Sequence, residues 1–276
     1  MAVARNGSVW LQYRDEGPRA AEPVLHIMGL GGSGRAWYRL LPHVTPTHRA
    51  LTFDHRGTGN SDPVGRPLRM GDLVGDALAV LDAAGESSAH VHGVSLGGMV
   101  AQQLALDHPE RVRSLILSAT SAGGLIANEP PWRLLAAGGI RPLVGPDRAW
   151  ALLNGVLYSA RTRNEFPARM AEDAQLRLED GNDPRTVLAQ LAAVARHDTR
   201  RRIHALARLP VTVIHGAEDV LIPPRAGRAL AAAIPGARLV VIDDAGHLLG
   251  TDAEESWADA VLTHLARVTL EQRLAV

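Results

Sequence analysis

Gly93-Val94-Ser95-Leu96-Gly97, with Gly98 behind it, spells the pattern G-x-S-x-G. A serine in that setting can be turned into a nucleophile. An apolar run at 89–93 enters the pattern and an amphipathic helical pattern at 96–107 leaves it. So sharp a strand-to-helix corner forces the serine into strained backbone angles. It also needs small residues on both sides, so that strand and helix can approach. The hydroxyl then stands clear of the sheet at a helix N-terminus, where free N–H groups favour negative charge. Capping of that helix by Ser95 alone would not require three flanking glycines.

A serine hydroxyl is a poor nucleophile at neutral pH and needs a base. The chain has 12 His. His26, His90 and His92 fall inside apolar strand patterns and read as core. His43, His48, His55 and His108 fall in loops or at helix ends, His197 and His204 in a helical region, and His264 in the last helix. His215 ends a strand. His247, in Asp243-Asp244-Ala245-Gly246-His247, directly follows the last strand pattern. In a doubly wound sheet that loop lies at the edge where ligands bind. The base needs a carboxylate to orient it. Asp219, in Gly216-Ala217-Glu218-Asp219, follows the strand at 211–214 and takes this role ahead of its neighbour Glu218. Asp243 and Asp244 read as surface charges. A neutral imidazole is required, so activity should fall in acid.

These side chains demand an α/β framework. Strand patterns fall at 9–13, 24–28, 50–53, 89–94 and 112–118, and again at 211–214 and 238–242. Helical patterns fall at 72–84, 96–107, 225–233 and 254–268. Strands alternating with helices argue for a parallel sheet covered on both faces. Between 121 and 205 no strand pattern appears. Helical patterns at 147–157, 164–179 and 184–195 fill that stretch, which reads as an insertion.

Composition removes other chemistries. The 276 residues carry 29 basic and 29 acidic side chains, so nothing marks a nucleic-acid surface. No apolar stretch approaches the roughly 20 residues of a membrane span. There is no cysteine, hence no disulfide, thiol nucleophile or cysteine metal site. Every basic residue is arginine, which excludes Schiff-base lysine chemistry and a Walker A loop. No metal or cofactor is expected. The N-terminal segment lacks the apolar core of a secretory signal, and a cytoplasmic location is expected.

The segments VLHIMGLGGSGRAW, LTFDHRGTGNSD, HVHGVSLGGMVAQQLALDHPERVRSLILSATSAGG, VTVIHGAEDVLIPP and VVIDDAGHLLG resemble α/β-hydrolase-fold serine hydrolases. The order Ser95, Asp219, His247 is that of the fold. The nearest likeness is to enol-lactonases, small esterases and cofactor-free perhydrolases. The resemblance implies an eight-stranded, mostly parallel sheet flanked by helices. It implies a core at 1–120 and 206–276 and a helical cap at 121–205. It also implies an oxyanion hole made by the backbone N–H groups of Leu30 and Leu96. Met28 departs from the histidine usual before Gly29, which leaves the rigidity of that loop open. The expected reaction is hydrolysis of a small apolar ester or lactone through an acyl-enzyme. Trp132, Leu125, Met99 and Leu248 are candidate substrate contacts. Trp150 and Tyr158 could line the same pocket, though each reads more simply as packing.

Other readings share the same residues. A C–C bond hydrolase, a perhydrolase or a natural-product tailoring enzyme could use the same three side chains, and a ligand-binding protein could keep the fold. The serine at 95 argues against epoxide hydrolases and haloalkane dehalogenases, which carry aspartate there. Gly29-Leu30-Gly31-Gly32-Ser33-Gly34 also fits the dinucleotide fingerprint G-x-G-x-x-G, with Asp54 at the matching spacing. A nicotinamide oxidoreductase is the distant alternative.

Overall fold

The computed structural model describes residues 2–65, 67–123, 153–180 and 183–274. Among them, eight strands form one sheet: β1 (Ala2–Asn6), β2 (Val9–Glu16), β3 (Pro23–Ile27), β4 (Arg49–Phe53), β5 (Ala89–Val94), β6 (Val112–Ser118), β7 (Val211–Gly216) and β8 (Arg238–Ile242). Their order is β1-β2-β4-β3-β5-β6-β7-β8. Strands β3 to β8 run parallel, and β2 is antiparallel to both β1 and β4. The longer helices are α1 (Met70–Ala83), α2 (Leu96–Asp107), α3 (Ala160–Glu165), α4 (Pro167–Asp180), α5 (Pro184–Arg196), α6 (Pro224–Ala233) and α7 (Glu254–Leu274). Helices α3, α4 and α5 lie in the chain between β6 and β7, where the sequence pattern places its insertion. Among the described residues no helix is long and apolar enough to cross a membrane.

Side chains alternate between the faces of a strand, and here the two faces differ in chemistry. Leu25, Ile27, Leu51, Phe53, Val91, Leu115, Leu117 and Val213 join one apolar cluster with Leu73 and Val80 of α1 and Val100 and Leu104 of α2. Val24, Ala50, Val94, Ile116 and Ile214 join a second with Trp37 and with Trp257, Val261 and Leu265 of α7. The residues that alternate in step with this second set include His26, Thr52, His90, His92, Ser114, Ser118 and Thr212, all buried. They are bonded laterally. Ser114 Oγ sits 2.8 Å from both His90 Nδ1 and His264 Nε2, and His264 Nδ1 sits 2.8 Å from Thr212 Oγ1. Ser118 Oγ meets His92 Nε2 at 2.9 Å and accepts from Trp257 Nε1 at 3.2 Å. Among the described residues His26 has no partner at either ring nitrogen, and it packs 4.8 Å from Trp37. Burial holds these imidazoles neutral: it drives His26 and His264 down to about 3, His90 down to about 4, and His92 well below its ordinary value.

The structure departs from the sequence patterns at a few ends. Strand β1 has no counterpart among them. Its signal is Asn6-Gly7: Gly7 has φ 61 at the first position of a two-residue hairpin joining β1 to β2, where glycine is favoured. The single helix expected at 164–179 is two helices. Pro167 pushes Phe166 out of helical angles, to φ −127 and ψ 48, so α3 stops there and α4 begins on the proline. Helix α7 runs six residues beyond the expected end at 268.

Candidate active site

Strands β3, β5, β7 and β8 are parallel, so the loops after them open on one edge of the sheet. Those loops carry Leu30, Ser95, Asp219 and His247. Ser95 has φ 55 and ψ −118, a region costing about 1–3 kcal/mol for a residue with a side chain. Its neighbours hold it there. Its N–H donates to Ser118 O at 3.0 Å, and its carbonyl accepts from Thr120 Oγ1 at 2.8 Å and from Met99 N at 3.2 Å. The glycines let the corner close: a Cβ on Gly97 would lie 1.9 Å from Ile27 O, and one on Gly93 would lie 2.3 Å from Gly97 O. Ser95 stays partly exposed while its neighbours are buried.

The second pair is joined directly. His247 Nδ1 donates to Asp219 Oδ2 at 2.8 Å, with Asp219 2% and His247 4% exposed. Asp219 Oδ1 accepts the N–H groups of Leu221 and Ile222 at 3.0 and 2.9 Å. Burial alone would raise the Asp219 carboxyl. The positive field of His247, with hydrogen bonds from His215 and His247, outweighs it and holds the group at about 2. The carboxylate is therefore ionised across any working pH. His215 Nε2 donates to Ile222 O at 2.7 Å, so that histidine braces the acid loop. The acid and histidine loops are stitched together by Ala217 N to Ile242 O (2.9 Å) and Glu218 N to Ala245 O (2.8 Å).

Glu218 is occupied elsewhere: its Oε2 accepts from Ala160 N at 2.8 Å, at the start of α3. Asp243 and Asp244 are exposed. Asp252, which no sequence signal singled out, accepts from Gly246 N at 2.7 Å and Ser159 N at 3.0 Å, tying the histidine loop to α3. Both His247 N and Leu248 N donate to Leu157 O, at 2.9 and 3.0 Å. Leu248 packs with Val156, Leu157, Tyr158 and Leu221. Tyr158 is 2% exposed and its hydroxyl donates to Asp173 Oδ2 at 3.0 Å, so it serves packing. Met99 is buried in α2. Leu125, Trp132 and Trp150 lie outside the described residues.

The loop after β3 runs over the serine. A Cβ on Gly29 would lie 3.2 Å from Ser95 Cβ and 3.3 Å from Val94 O. Leu96 opens α2, so its N–H belongs to the first turn, whose amides have no partner within the helix. Leu30 is half-buried one residue beyond Gly29. Met28 contributes its carbonyl, which accepts from His55 Nε2 at 2.9 Å. A histidine of the turn after β4 thus braces the loop where Met28 offers no hydrogen-bonding side chain.

The dinucleotide fingerprint resolves differently. Asp54 is fully buried. Its Oδ1 accepts from Gly34 N at 2.8 Å, its Oδ2 accepts from Asn60 N at 3.0 Å, and Arg14 approaches to 3.6 Å. It ties two loops together and has no free edge for a ribose. The glycine loop leads into the single turn Gly34–Trp37, not into a helix that could receive a pyrophosphate.

The family described as alpha/beta hydrolase fold matches residues 22–253. A protein of Azorhizobium caulinodans named as a carbamate hydrolase, RutD, is 32% identical over 251 residues, covering 90% of this chain and 91% of that protein. The N-acyl homoserine lactone degrading enzyme Est816 superposes with a TM-score of 0.81 at 28% identity, covering 95% of this chain and 99% of that one. The enol-lactonase of Burkholderia xenovorans LB400 gives a TM-score of 0.86, covering 96% and 100% of the two chains. At 24% identity that last likeness speaks for the fold alone.

Proposed function

The chain belongs to the alpha/beta hydrolase fold family, and from that premise we propose that it is a serine hydrolase cleaving a carboxylic ester or lactone of a small apolar molecule. Ser95 Oγ attacks the carbonyl carbon while His247 Nε2 takes its proton. Asp219 holds the Nδ1–H and stabilises the imidazolium. The oxyanion falls to the N–H groups of Leu30 and Leu96, each worth about 3 kcal/mol in the transition state. His247 returns the proton to the leaving alkoxide, and water repeats the sequence on the acyl-enzyme. Residues 121–205 serve as a cap on a core formed by 1–120 and 206–276, and the cap selects the substrate.

The observation that carries this reading is the buried 2.8 Å contact between His247 and Asp219 on the sheet edge that carries the strained Ser95. A buried, ionised carboxylate against one ring nitrogen leaves the other free to act as base. The names of Est816 and RutD put lactones and carbamates beside short esters in the first substrate panel.

The test is a pre-steady-state assay with p-nitrophenyl acetate and butyrate. A burst near one p-nitrophenol per protein, absent in Ser95→Ala, is expected. Hydrolysis that proceeds unchanged in Ser95→Ala would overturn the reading. A second pair separates the neighbouring acids. Asp219→Asn should lower kcat by about 10⁴-fold, since the imidazole loses its orienting charge. Glu218→Ala should leave kcat within about threefold and cost about 1 kcal/mol in thermal unfolding, because Ala160 N loses its acceptor at the start of α3.

A further inference from the structure

We infer that Gln190, on α5, is a positioning residue that holds the oxyanion loop in its working geometry. The inference rests on the serine hydrolase reading above. The loop 28–33 contains three glycines and passes against Ser95. A small shift would carry the Leu30 N–H off the position where charge develops. Three of the hydrogen bonds that restrain the loop and its exit come from side chains outside it. His55 Nε2 donates to Met28 O at 2.9 Å, and Gly34 N donates to Asp54 Oδ1 at 2.8 Å. Both of those anchors sit in the turn after β4. The third comes from the inserted helices: Gly31 N, one residue past Leu30, donates to Gln190 Oε1 at 2.8 Å.

Packing does not account for a glutamine here. Gln190 is fully buried, and its Nε2 has no acceptor among the described residues. A buried donor left unmet is unfavourable, and an apolar side chain would fill the same space without that penalty. Oε1 is the part of the side chain that is used, and it is used on the loop. Helix α5 is otherwise well seated: Thr186 would meet a Cβ placed on Gly57 at 2.3 Å, and Ala193 lies in the main core cluster. The acceptor is thus carried on a firm support, and the inserted helices take part in setting the site's electrostatics.

Satisfying a buried N–H is also an ordinary structural duty, so the test must read more than stability. Gln190→Met keeps the length and removes the acceptor. Gln190→Glu keeps an acceptor for Gly31. For each variant, kcat and KM on p-nitrophenyl acetate, the inhibition constant of benzeneboronic acid and the thermal midpoint are measured. The serine oxygen bonds to boron, its proton passes to His247, and the resulting tetrahedral boronate anion places a hydroxyl oxygen in the hole. The Met variant should lose about 10- to 100-fold in kcat, with KM within about threefold and boronate affinity falling by the same factor as kcat. The Glu variant should stay within about tenfold of the parent. A Met variant that keeps the parent's kcat and boronate affinity overturns the inference, whatever its thermal midpoint. Should the Met variant not fold, the Glu variant decides: a fall beyond about tenfold contradicts the inference. A parent that benzeneboronic acid does not inhibit counts against the serine reading and not against Gln190.

Discussion

Ser95→Ala and His247→Ala are each expected to lower turnover by up to about a million-fold, and the double variant is expected to lose little more. The reason is that neither group does chemistry alone. The hydroxyl stays protonated without the base, and the base has no proton to take without the hydroxyl. The residual rate should belong to the oxyanion donors and to substrate binding, which neither substitution touches. Folding should survive both changes. Ser95 makes backbone hydrogen bonds to Ser118, Thr120 and Met99, and these persist in alanine. Removing His247 deletes one bond to Asp219, whose other oxygen still accepts from Leu221 and Ile222. The check is kcat for both single variants and the double on one activated ester, with thermal unfolding alongside. Losses that multiply in the double variant would mean that the two residues act independently.

The second large effect is on stability in acid. His26, His90 and His264 are buried and held neutral, with folded values at about 3 to 4, and burial pushes His92 well below its ordinary value. In the unfolded chain they take protons near the usual 6.5. The folded values lie below the unfolded ones, so stability is full above about pH 6.5 and falls as pH drops towards the folded values. Each proton taken up on unfolding contributes 2.303RT per pH unit. The three with values near 3 to 4 give a slope of about 4 kcal/mol per pH unit between roughly pH 6 and pH 4, and His92 acts in the same direction. A typical domain has about 5–15 kcal/mol in all, so unfolding should begin within about two units below neutral histidine titration. Urea midpoints at pH 7, 6 and 5 measure this. His26→Leu should reduce the slope by about one proton's worth, and His26 has no hydrogen bond to lose among the described residues. A flat stability from pH 7 to pH 5 would contradict the account. Asp219, held at about 2 when folded against about 3.9 when unfolded, adds to this loss only below about pH 5.

The polar face of the sheet also explains what the sequence hides. His26, His90 and His92 read as buried strand residues, and they are. His90 and His92 bond Ser114 and Ser118, 24 and 26 residues away, and His264 reaches back 150 residues to Ser114, and no local pattern pairs them. The three side chains of the proposed site were legible for the opposite reason. Each sits in a short glycine-marked loop directly after a strand, and parallel strands bring such loops to one edge. Strand β1 was missed because Ala2–Asn6 is short and its apolar residues are small; only Asn6-Gly7 announces it. Gln190 was invisible because one glutamine in an amphipathic helix looks like a solvent-facing residue. Its partner Gly31 is 159 residues away. The bracing of Met28 by His55 was likewise beyond a local reading, since loop histidines carry no sign of where they point.

The most direct test of the central claim is the intact mass of the protein after exposure to a small fluorophosphonate, beside Ser95→Ala. One adduct per chain is expected on the parent, with fluoride displaced, and none on the variant. An unmodified parent, or an adduct of equal yield on Ser95→Ala, would contradict the assignment of Ser95 as the activated nucleophile.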